Sequence, residues 1–164
     1  MNTPNLQQLD GSEKKNYQVK SFKIKYSSNT PPPTGDILIT SPERVCGMVR
    51  SLFDEFDGGM TVEHFAAIFV NCQNEMLGFK VFNTGTVDQV AVYPRMIIHT
   101  GLMVGASGII LVHNHPSGYC DPSENDKTIT RAIKEAGRLF DIRILDHIII
   151  SKSSRFSMLE SGLL

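Results

Sequence analysis

Leu111–Thr130, LVHNHPSGYCDPSENDKTIT, is the stretch on which the fold turns. It begins inside the apolar run Gly108–Val112, GIILV, which is short, uncharged and rich in branched side chains. Such a run reads as a central strand buried on both faces. His113 and His115 stand two apart at its end, and side chains at i and i+2 of an extended chain point to the same side. The two imidazoles can therefore converge on one point. A loop rich in Gly, Pro and Ser follows, and Ser123 opens a helix with Ile129, Ala132, Ile133, Ala136 and Phe140 on one face.

Catalytic zinc sites commonly use histidine nitrogens and a carboxylate, with one position left to water. Asp126, in the first turn of the new helix, can be the third ligand if the loop folds the helix start back to the strand end. Spacing alone leaves other readings open. Histidines at a strand end can be hydrated, and Ser123-x-x-Asp126 has the form of a capping box, the role that spacing favours. The letters His-Asn-His do not support a nuclease, whose three residues are widely dispersed.

Working outward, Ser41 is expected to cap a helix with Pro42 in its first turn. Val45, Val49, Leu52 and Phe53 recur at helical spacing, and Gly58-Gly59 ends the segment. Strands are expected at Val62–Asn71, Met76–Phe82 and Val87–Tyr93, the first two joined by the turn Cys72-Gln73-Asn74-Glu75. Pro94 opens a helix to about Gly105, Ile142–Ser151 is a further strand, and Phe156–Leu164 a short terminal element. Strands alternating with helices indicate a layered α/β or α+β domain. Upstream, Tyr17–Tyr26 alternates like a half-buried strand, and SSNTPPPTG (Ser27–Gly35) is a stiff connector. Two parts are expected: an N-terminal arm over 1–35 and the main domain over 36–164.

Composition excludes several classes. With 164 residues and a formal net charge of −1 at pH 7, the chain exerts no global pull on nucleic acid or acidic membranes. No apolar run spans a bilayer, and MNTPNLQQLDGSEKK lacks the layout of a secretory signal. The expected location is the cytoplasm. Cys46, Cys72 and Cys120 form no CxxC pair, so a disulfide framework or cysteine zinc site is not expected. Cys72 is expected to pack beside its apolar run, and Cys120 to be an inert loop residue.

His113-Asn114-His115, seven residues, Ser123, two residues and Asp126 together resemble the JAMM (MPN+ or JAB) metalloprotease motif. The strings HNHPSG and PSxxD, with Tyr93-Pro94-Arg95, Asn83–Thr86 (NTGT) and Leu145–Ile150 (LDHIII), are similar to the RadC family within it. The match covers roughly Ser41 to Leu164. The resemblance implies a JAMM, cytidine-deaminase-like three-layer fold: a curved mixed sheet flanked by helices. It implies His113, His115 and Asp126 as ligands of one zinc ion, Ser123 as an oxyanion stabiliser and an upstream glutamate as general base. Glu63 is the choice, because similar proteins carry a glutamate at this strand start; Glu55 falls in the preceding helix and Glu75 in a turn.

The leading expectation is thus a zinc-dependent hydrolase, a metallopeptidase or isopeptidase acting on a peptide or isopeptide substrate. The alternative is a DNA-repair-associated, nucleic-acid-binding protein without peptidase activity. RadC-like proteins carry that label, and Lys14, Lys15, Lys20, Lys23 and Lys25 cluster in the arm. A third reading is a scaffold whose arm pairs with a sheet edge, including that of a second copy, giving a homo-oligomer. Asp146 and His147 can act behind the ligands, since metal-bound histidines usually donate their free N–H to a partner. His64, His99 and Arg95 are read as structural.

Overall fold

The computed structural model describes residues 38–39, 41–56, 58–85 and 92–164. The arm, its lysines and the proline connector lie outside the described residues, as do positions 87–91 of the expected third strand. Within the described residues, three helices and five strands follow one another: α1 (Pro42–Asp54), β1 (His64–Val70), β2 (Met76–Thr84), α2 (Pro94–Val104), β3 (Gly108–Asn114), α3 (Glu124–Arg138), β4 (Arg143–Ile150) and β5 (Arg155–Ser157). One 3-10 turn, Gly59–Thr61, precedes β1.

Local chemistry sets the boundaries. The Ser41 hydroxyl accepts the Arg44 N–H and Pro42 fills the first turn, where its missing N–H costs no helix bond. Pro94 starts α2 in the same way, and Gly105, left-handed at φ 71°, ends it. The β1–β2 turn is built by Asn71, whose side-chain oxygen accepts the N–H groups of Gln73 and Glu75. That turn points Cys72 outward, so the cysteine is exposed rather than packed beside the apolar run. Helix α3 stops at Arg138, so Phe140 lies beyond its apolar face and is half exposed, correcting its place in the expected stripe.

The sheet order is β2-β1-β3-β4-β5, with β3 and β4 parallel and the other pairs antiparallel. All seven residues of β1 and all seven of β3 are buried. The period of two along these strands divides the core. Ala66, Ile68, Val70, Ile110 and Val112 pack with Val45, Val49 and Phe53 of α1. Ala67, Phe69, Ile109 and Leu111 pack with Ile97 and Ile98 of α2 and Ile133 of α3. The fold is therefore a layered α/β domain, with α1 on one face of a mixed sheet and α2 and α3 on the other. The pairing of β1 with β2 skips Phe82 and Leu77, and that of β3 with β4 skips Leu145, irregularities of the kind that bend strands locally.

The unit β3–α3–β4 places the site. A parallel pair needs a long crossover, and here the crossover carries a helix. The loop after β3 leads directly to the start of α3, so the carboxyl end of β3 and the N-terminus of α3 meet at one end of the sheet's central strands. Ligand sites of open α/β sheets lie at such strand ends.

Candidate metal centre

Strand β3 runs to Asn114, so His113 is a strand residue, paired with Phe65 of β1 and Ile149 of β4. His115 follows, its N–H donated to the Ile150 carbonyl at 2.9 Å. The next turn closes from the Gly118 N–H to the His115 carbonyl at 3.1 Å, with Gly118 at φ 91°. A residue with a side chain is strained at that angle. As the i and i+2 spacing predicts, the two rings converge, with their Nε2 atoms 2.9 Å apart.

Asp126 joins them. Its Oδ1 lies 3.3 Å from His113 Nε2 and its Oδ2 3.8 Å from His115 Nε2. The capping box is present as well: the Ser123 hydroxyl accepts the Asp126 N–H, and Asp126 Oδ2 accepts the Ser123 N–H at 2.8 Å. Spacing posed cap and ligand as alternatives, but the two carboxylate oxygens allow both. Oδ2 serves the helix end and lies on the His115 side, and Oδ1 faces His113. The Ser123 hydroxyl also donates to Oδ2, at 2.6 Å. Its single proton is thus directed at Asp126; the oxyanion role implied by the resemblance requires it to turn away.

Glu63 stands immediately before β1 rather than within it, and its carbonyl accepts the Gly85 N–H at 2.9 Å. One side-chain ligand atom each from Glu63, His113 and His115 lie within 4.8 Å of one another. Glu55 is the C-cap of α1, and Glu75 hydrogen-bonds Asn71 in the β1–β2 turn.

The donor set fits a zinc ion. Ligands about 2.0–2.1 Å from tetrahedral zinc sit about 3.3–3.5 Å apart; His113 Nε2 lies 3.3 Å from Asp126 Oδ1 and 2.9 Å from His115 Nε2, close to that spacing. His115 Nδ1 lies 2.7 Å from the Tyr119 carbonyl, which can only accept, so Nδ1 holds the proton and Nε2 faces inward bare. Imidazole nitrogens of His113 and His115 with the Glu63 carboxylate, and the Asp126 carboxylate beside His113, are donor atoms of the kind zinc takes. Burial pushes the His113 pKa down to about 4, against the raising influence of Asp126. Burial likewise holds His147 well below the usual histidine range, with His113 and His115 adding to the shift. Both rings are neutral at pH 7, the form that binds metals.

The pair Asp146-His147 separates. Asp146 accepts from the Ser157 hydroxyl and the Leu159 and His147 N–H groups, tying β4 to the chain's last turn. His147 points to the other side, its Nε2 2.8 Å from His113 Nδ1. Phe65 lies nearly parallel to the His113 ring and edge-on to His147. His64 is buried between Phe53 and Phe56 and bonded to Thr84 and the Gly59 carbonyl, the structural role expected of it. Arg95 lies over the Tyr93 ring. Cys120 is buried against the Ser154 hydroxyl.

Two contributors escaped the sequence reading. Asn114, fully buried, donates to the Val62 carbonyl and accepts the His64 N–H, gripping the backbone on both sides of Glu63. Thr130 lies one helical turn after Asp126, bonded to the Asp126 carbonyl and to His147. Asn114 carried a signal, since it follows the apolar run Gly108–Val112 and a polar side chain buried there must find partners; Thr130, between Ile129 and Arg131, carried none.

Residues 39–163 match the RadC-like JAB domain family. A UPF0758 protein of Paracidovorax citrulli (strain AAC00-1) is 43% identical over 116 residues, covering 71% of this chain and 49% of that protein. A UPF0758 protein of Thiobacillus denitrificans (strain ATCC 25259 / T1) is 40% identical over 128 residues, covering 78% of this chain and 55% of its own length. The chain spans about half the length of the curated relatives it matches. No helix of the described residues is long and apolar enough to cross a membrane. With the family match extending from Ile39 through the whole sheet to the last turn, the chain belongs to the RadC-like JAB domain family.

Proposed function

We propose that this chain is a zinc-dependent hydrolase of amide bonds, a metallopeptidase or isopeptidase. The observation that carries the reading is the convergence of Glu63, His113 and His115 on one point, with Asp126 Oδ1 3.3 Å from His113 Nε2. His113, His115 and Asp126 would hold the ion, and zinc, when bound, lowers the pKa of a coordinated water from about 15.7 to about 7.

The chain's residues supply the rest. The Glu63 carboxylate accepts the water's proton and returns it to the departing amine, a task for a base in hydrogen-bond reach of both. Ser123 holds Asp126 in the resting site. Turned outward, its hydroxyl can donate to the oxyanion, where a placed donor is worth about 2.7–4 kcal/mol in one measured case. Phe65 walls the inner side and limits water there.

The test is metal content followed by turnover. Purified protein should hold one zinc per chain and lose it on His113→Ala. Glu63→Gln should keep the zinc and abolish hydrolysis of peptide or isopeptide-linked reporter substrates. Absence of stoichiometric zinc, with His113→Ala unchanged from wild type, would overturn the reading.

A further inference from the structure

Behind the proposed ligands runs a chain of hydrogen bonds that begins and ends on them. The Thr130 hydroxyl lies 2.6 Å from the Asp126 carbonyl and 2.5 Å from His147 Nδ1. His147 Nε2 lies 2.8 Å from His113 Nδ1. The direction of each bond follows from the first. A carbonyl can only accept, so the one hydroxyl proton of Thr130 goes to Asp126. Thr130 Oγ1 then accepts from His147 Nδ1–H. A neutral imidazole carries one N–H, so His147 Nε2 is an acceptor. His113 Nδ1 must donate to it, leaving His113 Nε2 bare, 3.3 Å from Asp126 Oδ1 and 2.9 Å from His115 Nε2.

We propose that Thr130 and His147 are positioning residues that fix His113 in its metal-binding tautomer, and that the relay ties this choice to the helix turn carrying Asp126. The proposal rests on the metal reading above. His147 and Thr130 are both buried, at 0% and 2% exposure, so water cannot replace either partner without repacking. His115 needs no such device, because the Tyr119 carbonyl sets its tautomer directly. Reversing the relay carries a specific consequence. A His147 with its proton on Nε2 would donate to His113 Nδ1 and place the His113 proton on the metal-facing nitrogen.

Thr130→Val keeps the side chain's shape and removes the acceptor for His147 Nδ1–H, whereas Thr130→Ser keeps the hydroxyl. Zinc affinity, measured by competition with a chromophoric chelator, should fall about 10–100-fold in Thr130→Val, the usual effect of removing a partner behind a ligand. Thr130→Ser should stay near wild type. A second readout needs no variant: nitrogen-15 histidine spectra of the zinc-loaded wild type should show His147 protonated on Nδ1 and bare on Nε2. The opposite pattern, or equal zinc affinity in Thr130→Val and wild type, overturns the relay and leaves the metal reading intact. A wild type that binds no zinc removes the metal reading itself.

Discussion

The side-chain oxygen of Asn114 accepts the backbone N–H of His64 at 2.8 Å. The same amide donates to the carbonyls of Val62, at 2.8 Å, and Met60, at 3.3 Å. One residue standing between two proposed ligands therefore clamps the backbone on either side of the proposed base. Parity explains the arrangement. His113 and His115 face the α3 side, so Asn114 faces the α1 side, where the segment before β1 passes.

Replacing Asn114 by Ala should separate positioning of the base from metal binding. A buried N–H left without a partner costs about 1–3 kcal/mol, so the variant should melt several degrees below wild type. Misplacing a catalytic group by about 1 Å can cost about 100-fold in rate. Turnover should fall about 10–100-fold while zinc stoichiometry stays near one. Zinc lost in proportion to activity would show that Asn114 supports the ligands rather than Glu63.

Ser123→Ala distinguishes two duties of one hydroxyl. A residue serving only the oxyanion would, when removed, lower kcat and leave zinc affinity untouched. In this structure the hydroxyl bonds both the Asp126 N–H and Oδ2. Its loss should also cost about 0.5–2 kcal/mol of helix capping and weaken zinc binding several-fold. Ser123→Thr should restore affinity. Unchanged zinc affinity in Ser123→Ala would assign the serine to the oxyanion alone.

How much of this was legible in the sequence depends on whether a group's partners lie close along the chain. The His113–His115 pair, the Ser123–Asp126 box and the Pro94 helix start are local, and their spacing carries their geometry. The layered fold was legible from the run Gly108–Val112 and the stripe from Ile129 to Ala136, although Phe140 was assigned to a helix that had already ended. Cys72 was rightly placed in the turn but wrongly expected to pack, because the Asn71 side chain bonds Gln73 and Glu75 across the turn and leaves Cys72 exposed. Glu63 came from the family resemblance, since its placement depends on a clamp 51 residues away. His147 was read from the sequence as one of two groups, with Asp146, able to stand behind the ligands, but its partner, and the places of Asn114 and Thr130, needed the sheet register, which sets Leu111 beside His147 and Phe65 beside His113. No local periodicity encodes that pairing.

Two glycines in helices should respond oppositely to alanine. A Cβ on Gly137 would stand 2.5 Å from the Ile142 carbonyl oxygen, a backbone atom that moves only if α3 and β4 separate. Overpacking of this kind costs about 1–3 kcal/mol, more than the roughly 0.8–1.0 kcal/mol that alanine gains in helix propensity. Gly137→Ala should therefore destabilise. Gly47, in α1, has nothing within 4 Å of its added Cβ, so Gly47→Ala should stabilise by up to about 1 kcal/mol. Urea unfolding of both variants checks the pair, and a Gly137→Ala protein as stable as wild type would contradict the close approach of α3 to the turn before β4.

Thiol chemistry tests the α1 layer independently of any metal. Cys46 is 2% exposed on the buried face of α1, and burial raises its thiol pKa, so little reactive thiolate forms. Cys120 is buried against Ser154, whereas Cys72 is exposed in the β1–β2 turn. A thiol reagent at pH 8 should modify Cys72 rapidly in the native protein and reach Cys46 and Cys120 only on unfolding. Peptide mapping of the modified sites decides the matter. Labelling of Cys46 at the rate of Cys72 would mean that α1 does not cover the sheet. The backing for Val62–His64, through which Asn114 holds the proposed base, would then be absent too.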